Sequence, residues 1–159
     1  MIRIAINGFG RIGRNLFRLL LDHPTIEVVA INDIADTKTM AHLLKYDSIH
    51  GVLPFEVSYD EKGIIVDGKH FLFFHQKSIS NLDWKSTGID IVVESTGKHK
   101  TFEEINAHIL GGAKKVILSA PSEVEEIKTV VLGVNEHILD GTETIISNAS
   151  CTTNNAAPM

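Results

Sequence analysis

Two groups of residues in this chain have types and spacings that could do chemistry. The first surrounds Cys151, the only cysteine, in Ala149-Ser150-Cys151-Thr152-Thr153-Asn154. It follows the short apolar run Thr144 to Ile146, and the polar stretch Ser147 to Thr153 can open a helix. A helix N-terminus favours the thiolate, the nucleophilic form of cysteine. Thr152 and neighbouring amides can donate hydrogen bonds to an oxyanion or a phosphate. The bland alternative for a lone cysteine is a small buried hydrophobe.

The second group is Gly8-Phe9-Gly10-Arg11-Ile12-Gly13, which has the spacing G-x-G-x-x-G. Gly8 permits a tight turn out of a strand, Gly10 lets a pyrophosphate approach the backbone, and Gly13 allows helix and strand to pack closely. Amides near Arg11 and Ile12 then face the phosphates at the positive end of a helix. Asp33 lies twenty positions past Gly13, at the end of a second apolar run. A carboxylate there accepts both ribose hydroxyls and repels a 2′-phosphate, which favours NAD over NADP. The competing reading makes Asp33 a cap for the next helix.

A nicotinamide and a thiolate together suggest one chemistry. The thiolate adds to an aldehyde, the adduct passes a hydride to the cofactor, and a thioester remains for water or another nucleophile. That sequence of steps needs a general base. The eight histidines, at 23, 42, 50, 70, 75, 99, 108 and 137, sit in no motif that marks one, and surface or capping roles are expected for them.

The positioning elements can be read from periodicity. Ile2 to Asn7 predicts a strand, and 11–22 a helix with Ile12, Leu16, Leu19 and Leu20 on one face. Ile26 to Ile31 predicts a strand buried on both faces, and Thr37 to Tyr46 a short helix. Asp60 to Gly63 and Asp67-Gly68 flank a β-rich run and predict an antiparallel insertion within 52–74. Ile89 to Val93, Lys115 to Leu118, Thr129 to Leu132 and Thr144 to Ile146 predict further strands. Thr101 and Glu104 form a capping box ahead of a helix face of Phe102, Ile105 and Ile109, which Gly111-Gly112 ends. The expected class is α/β, a Rossmann-type doubly wound, mostly parallel sheet with an antiparallel hairpin insertion. Ligands in such sheets sit at the carboxyl ends of the strands, here the loops after Asn7, Ile31, Glu94 and Leu118.

Composition narrows the functions. With 159 residues, 43% of them hydrophobic, the chain can bury a core of its own. A formal charge of −5 argues against nucleic-acid and acidic-membrane partners. No apolar run reaches the roughly 18 residues of a membrane span, and the opening strand leaves no expected signal peptide. One cysteine makes no intrachain disulfide and no thiolate metal cage, so no metal site and a reducing, cytoplasmic compartment are expected.

Across its whole length the chain resembles the amino-terminal half of the phosphorylating glyceraldehyde-3-phosphate dehydrogenases. The resemblance rests on Ile6 to Arg14, Ile31-Asn32-Asp33, Tyr46 to Gly51, Glu94-Ser95-Thr96-Gly97, Ser119-Ala120-Pro121, Gly133-Val134-Asn135 and Ser147 to Asn154. It implies an NAD-binding domain over 1–148 and the start of a catalytic domain over 149–159. Arg11 and Ile12 would lie at the pyrophosphate and Asp33 at the adenosine ribose. Lys77 would lie near the adenine, and Thr96, Gly97 and Ser119 toward the nicotinamide half. Cys151 would be the nucleophile, with Ser150 and Thr152 touching substrate or incoming phosphate. The implied reaction oxidises glyceraldehyde 3-phosphate with NAD and inorganic phosphate to 1,3-bisphosphoglycerate, a step of glycolysis, in a cytoplasmic homotetramer.

Two positions depart from the pattern. Lys77 stands where members often carry arginine, and Asn155 where many have a second cysteine. Family members also supply a base histidine, phosphate-binding residues and a nicotinamide-amide contact from a region beyond the cysteine helix. The expectation is a fragment that binds NAD and turns nothing over. Semialdehyde and acyl-phosphate reductases, which favour NADP, are weaker rivals because of Asp33. Erythrose-4-phosphate dehydrogenase is a closer rival. A non-catalytic NAD module would need the glycine loop but not Ser150-Cys151-Thr152.

Overall fold

The computed structural model describes residues 1–99 and 101–159. β1 (Ile2–Asn7) leads through the glycine loop into α1 (Arg11–Leu20) and then β2 (Ile26–Asn32). α2 (Thr37–Lys45) follows, with Asp36 as its cap: the carboxylate accepts the Thr39 amide at 2.8 Å. Two short strands, β3 (Tyr46–Asp47) and β4 (Gly51–Val52), pair with each other. The next strands are β5 (Val57–Tyr59), β6 (Gly63–Val66) and β7 (Lys69–Phe74). The second half runs α3 (Trp84–Thr87), β8 (Ile91–Glu94), α4 (Phe102–Leu110), β9 (Lys115–Leu118), β10 (Lys128–Thr129), β11 (Ile145–Ser147) and α5 (Cys151–Ala156).

Among the described residues, nine strands form one sheet in the order β10-β11-β9-β8-β1-β2-β7-β6-β5. Every pairing from β10 through to β7 is parallel. β6 runs against both of its neighbours, which makes the expected antiparallel insertion. Its turn to β7 uses Asp67 at φ 46° and Gly68 at φ 79°, the left-handed pair a tight hairpin needs.

Alternation along β1 explains the two buried faces. Ile4 and Ile6 join a core with Phe9, Phe17 of α1 and Leu44 of α2. Ala5, between them, points the other way, toward Trp84, Ile89 and Val92. A third cluster joins Ile105 of α4 to Val116, Leu118 and Ile145.

Several boundaries and faces differ from the sequence expectation. α1 buries Gly13 and Phe17 and packs Leu16 and Leu20 on the core, whereas Ile12 and Leu19 are exposed. The true stripe is i, i+3, i+4, i+7 from Gly13; a glycine and an aromatic hid it. Tyr46 leaves the helix and opens β3, and the strand expected at Ile89 begins at Ile91. The strand expected over Thr129 to Leu132 is only Lys128–Thr129, because Asn135 folds back to accept the Val131 amide at 2.7 Å. α4 carries its capping box as expected, yet Phe102 is exposed and His108 fully buried.

The parallel strands all end on one edge. Chain order reverses at β1, with β2 on one side and β8 on the other. That reversal opens a crevice between the loops after β1 and β8.

Candidate functional site

The glycine loop is fixed by contacts on every side. Gly8 has φ +95°, and a Cβ there would lie 2.6 Å from the Thr96 amide nitrogen. A Cβ on Gly13 would lie 2.1 Å from the Gly8 carbonyl oxygen. Phe9 buries its ring edge-on against Phe17, with centroids 5.5 Å apart, and against Phe73 at 6.1 Å. Arg14 donates to the Phe9 carbonyl at 2.8 Å. Burial lowers the Arg14 pKa, and the nearby Asp47 carboxylate partly offsets this. The spacing gave no role to Phe9 or Arg14; the period of α1 places Arg14 one turn from Gly10, the one sequence signal available.

Gly10 caps α1 without a side chain, and a Cβ there would meet nothing within 4 Å. The first-turn amides of a helix lack acceptors within it. Here no side-chain oxygen caps them, and Gly10, just ahead of them, lines the crevice. The loop thus has the close backbone, open face and partial positive charge that a pyrophosphate requires.

Beside it, Asp33 accepts the Phe9 amide at 2.7 Å through Oδ2 and the Ala35 amide at 3.0 Å through Oδ1. An ionised carboxylate has about four acceptor positions, so two remain for a diol. Asp36, not Asp33, caps α2, which removes the competing reading. A cleft of about 320 Å³ joins these groups, lined by Gly8, Gly10, Asp33, Lys77 and Thr96 among others. Lys77 is exposed at its rim. Arg11, Ile12, Gly97 and Ser119 fall outside the lining.

A chain of buried polar groups runs beneath the rim. The Asn32 amide nitrogen donates to the Gln76 carbonyl at 2.9 Å, and its oxygen accepts the Gln76 amide at 2.8 Å. The same nitrogen donates to Asn7 Oδ1 at 2.7 Å, and Asn7 Nδ2 donates to Glu94 Oε2 at 2.5 Å. Glu94 also meets His108 Nε2 at 3.1 Å, the Thr96 amide at 2.8 Å and the Thr96 hydroxyl. Trp84 Nε1 donates to His108 Nδ1 at 3.0 Å. Burial alone would raise the Glu94 pKa; the hydrogen bonds from His108, Thr96 and Asn7 together outweigh it and hold the carboxyl below its ordinary value. Periodicity could not find this chain, because its links join distant segments.

The second group lies farther along the same edge. Ser150 caps α5, its Oγ accepting the Thr153 amide at 3.0 Å. Ala149 sits at φ 57°, a left-handed conformation that costs a non-glycine residue roughly 1–2 kcal/mol. Asn154 braces the turn by donating to the Asn148 carbonyl at 2.6 Å. Cys151 is the first residue of α5 and is exposed. The buried alternative for it is therefore excluded. α5 has six residues, so its terminus carries a short dipole.

Strand order sets the layout of the edge. Asp33 follows β2, the glycine loop β1, Thr96 β8, Ser119 β9 and Cys151 β11. From β2 to β11 is four strand spacings, about 19 Å. Along the carboxyl ends of the strands, a carboxylate, a glycine loop and a thiol therefore follow one another in strand order.

Comparison with known proteins decides the family. The family model described as "Glyceraldehyde 3-phosphate dehydrogenase, NAD binding domain" matches residues 2–102. The chain belongs to the glyceraldehyde-3-phosphate dehydrogenase family. The glyceraldehyde-3-phosphate dehydrogenase of Thermotoga maritima is 54% identical across 100% of this chain and 48% of its own length. Those of Geobacillus stearothermophilus and Mycoplasma pneumoniae are 52% and 51% identical, over 99% of this chain and 47% of their own lengths. The chain spans about half the length of the curated relatives it matches. NAD is the cofactor of the matched domain, and the glyceraldehyde-3-phosphate dehydrogenase match covers β1 through β8, the part that builds the cleft. No described helix is long and apolar enough to cross a membrane.

Proposed function

We propose that this chain holds NAD and presents the nucleophilic thiol of a phosphorylating glyceraldehyde-3-phosphate dehydrogenase. The observation that carries the reading is the common edge: Asp33, the glycine loop, Thr96, Ser119 and Cys151 follow the successive parallel strands β2, β1, β8, β9 and β11.

In this reading Gly8, Gly10 and Gly13 shape the cradle, and the Arg11 and Ile12 amides bind the pyrophosphate. Asp33 accepts the adenosine ribose hydroxyls, and Lys77 lies by the adenine. Thr96, Gly97 and Ser119 border the nicotinamide half. Residues 1–148 form the cofactor domain and 149–159 begin the catalytic one.

Bound NAD would supply a hydride acceptor. The Cys151 thiolate adds to the aldehyde carbon of glyceraldehyde 3-phosphate, forming a C–S bond and an alkoxide. Ser150 and Thr152, whose hydroxyls lie 2.9 Å apart on one turn, donate to that oxygen or to an incoming phosphate. Loss of hydride leaves a thioester on Cys151. Inorganic phosphate attacks it, the C–S bond breaks, and 1,3-bisphosphoglycerate leaves with the thiolate restored. The proton acceptor is assigned to the part of the longer relatives that this chain does not span. Homotetrameric assembly, a cytoplasmic setting and the glycolytic role belong to the same proposal.

The test is NADH formation from glyceraldehyde 3-phosphate and phosphate by this chain joined to the remaining half of the Thermotoga maritima relative, with and without Cys151→Ser. Loss of turnover with retained NAD binding is expected. Unchanged turnover in the variant contradicts the nucleophile assignment.

A further inference from the structure

We infer that Glu94 is the positioning residue of the cofactor cleft: a buried carboxylate on which fixed donors converge, and which thereby sets Thr96 and Asn7 against the glycine loop. The inference rests on the proposed NAD reading and deepens it.

The argument is one of hydrogen-bond polarity. At one end, Asn32 is clamped by both the carbonyl and the amide of Gln76. That two-point contact decides which of its atoms is nitrogen. The nitrogen must then donate to Asn7, so Asn7 presents its oxygen to Asn32 and its own nitrogen to Glu94. At the other end, an indole N–H can only donate. Trp84 therefore requires an unprotonated Nδ1 on His108, and the ring proton sits on Nε2, facing Glu94. The His108–Glu94 contact is a hydrogen bond from a neutral ring, not an ion pair. The Thr96 amide adds a third fixed donor and its hydroxyl a fourth.

Four donors meet one side chain that is 3% exposed. Only an acceptor with about four lone-pair sites satisfies them all, and an ionised carboxylate is that group. A glutamine of the same shape must turn its N–H donors either toward the Asn7 and His108 donors or toward the Thr96 amide, and in the second pose only the Thr96 hydroxyl can turn to accept. The polarity cannot reverse, because Gln76 and Trp84 fix both ends.

The consequence reaches the cleft directly. Thr96 lines it and lies against Gly8, close enough that a Cβ on Gly8 would touch the Thr96 amide. Asn7 lines it too. Asp33 is held by the Phe9 and Ala35 amides, neither of which bonds to Glu94. Disturbing Glu94 should therefore harm the nicotinamide side of the cleft more than the adenosine side.

The experiment compares Glu94→Gln with the unaltered chain by calorimetric titration with NAD and with AMP. Both proteins are held at a temperature where circular dichroism shows them fully folded. NAD binding should weaken at least about tenfold and AMP binding less than about threefold. NAD affinity within about twofold of the unaltered chain, even with a lowered melting temperature, overturns the inference and reduces Glu94 to a structural role. If the variant does not fold, nitrogen NMR of the unaltered chain decides. A proton on His108 Nε2, with Thr96 and Glu94 resonances that move on adding NAD, supports the inference; a proton on Nδ1, or no movement, overturns it. An unaltered chain that fails to bind NAD overturns the cofactor reading itself, and the inference with it.

Discussion

The Asp33 carboxylate accepts the Phe9 amide at 2.7 Å, so the acid facing the cleft also ties down the loop beside it. These two tasks separate by substitution. Asp33→Ala should lose the loop bond, a stability cost of about 1–3 kcal/mol, and should bring NAD and NADP affinities together. Asp33→Asn can keep an acceptor for Phe9 but then turns its N–H donors toward the Ala35 amide, so it should relax the cofactor preference and cost less stability than Asp33→Ala. Denaturant melts and calorimetry on both variants check this. An unchanged NAD to NADP ratio in both counts against the ribose role.

Gly10 and Gly13 should respond in opposite ways. A Cβ on Gly13 would lie 2.1 Å from the Gly8 oxygen, so Gly13→Ala must push the helix off the strand and should destabilise the chain by about 2–3 kcal/mol. A Cβ on Gly10 meets only open space. Gly10→Ala should leave stability within about 0.5 kcal/mol and weaken NAD binding by crowding the pyrophosphate. Urea midpoints paired with NAD titrations test both. A Gly10→Ala chain that binds NAD normally would place the pyrophosphate elsewhere.

Cys151 should be accessible to alkylation, since it is exposed on the first turn of α5. A gain of a hundredfold over free cysteine would mean that a base within this chain already serves the sulfur. A rate well below free cysteine would mean that the turn hides it.

The far end of the sheet carries an acid-sensitive cluster. Lys128 bonds Glu143 at 2.5 Å and Asp140 at 3.3 Å. Glu143 is held at about 2, first by the Lys128 bond and then by the Asp140 amide. Asp140 is held at about 2 chiefly by the Thr142 hydroxyl and amide, with Lys128 next. Carboxylates so depressed stabilise the fold fully above their ordinary values and lose that contribution as pH falls toward about 2. Lys128→Met should lower the urea midpoint at neutral pH, and the gap from the parent chain should close as pH drops through the carboxylate range. A gap independent of pH contradicts the charge account.

Local features were legible because their partners lie a few residues apart. The Thr101–Glu104 capping box, the Asp67-Gly68 turn and the tight contacts of Gly8 and Gly13 all appear where the spacing placed them. The Trp84, His108, Glu94, Asn7 and Asn32 chain was not legible: its links span 14 to 87 positions, and nothing in the sequence near His108 distinguishes it from an exposed histidine. The α1 stripe was misread because Phe17 and Gly13 bury where Leu19 looked the stronger candidate. Even the loop motif hid part of its mechanism, since Phe9 is the anchor that ties the cradle to the core.

The central claim is that the crevice between the β1 and β8 loops is an NAD site governed by Asp33. Calorimetric titration of the 159-residue chain with NAD and then with NADP tests it most directly. Saturable NAD binding, at least about tenfold tighter than NADP because a 2′-phosphate would face the Asp33 carboxylate, is the predicted result. NADP binding as tight as NAD, or no binding of either, would contradict it.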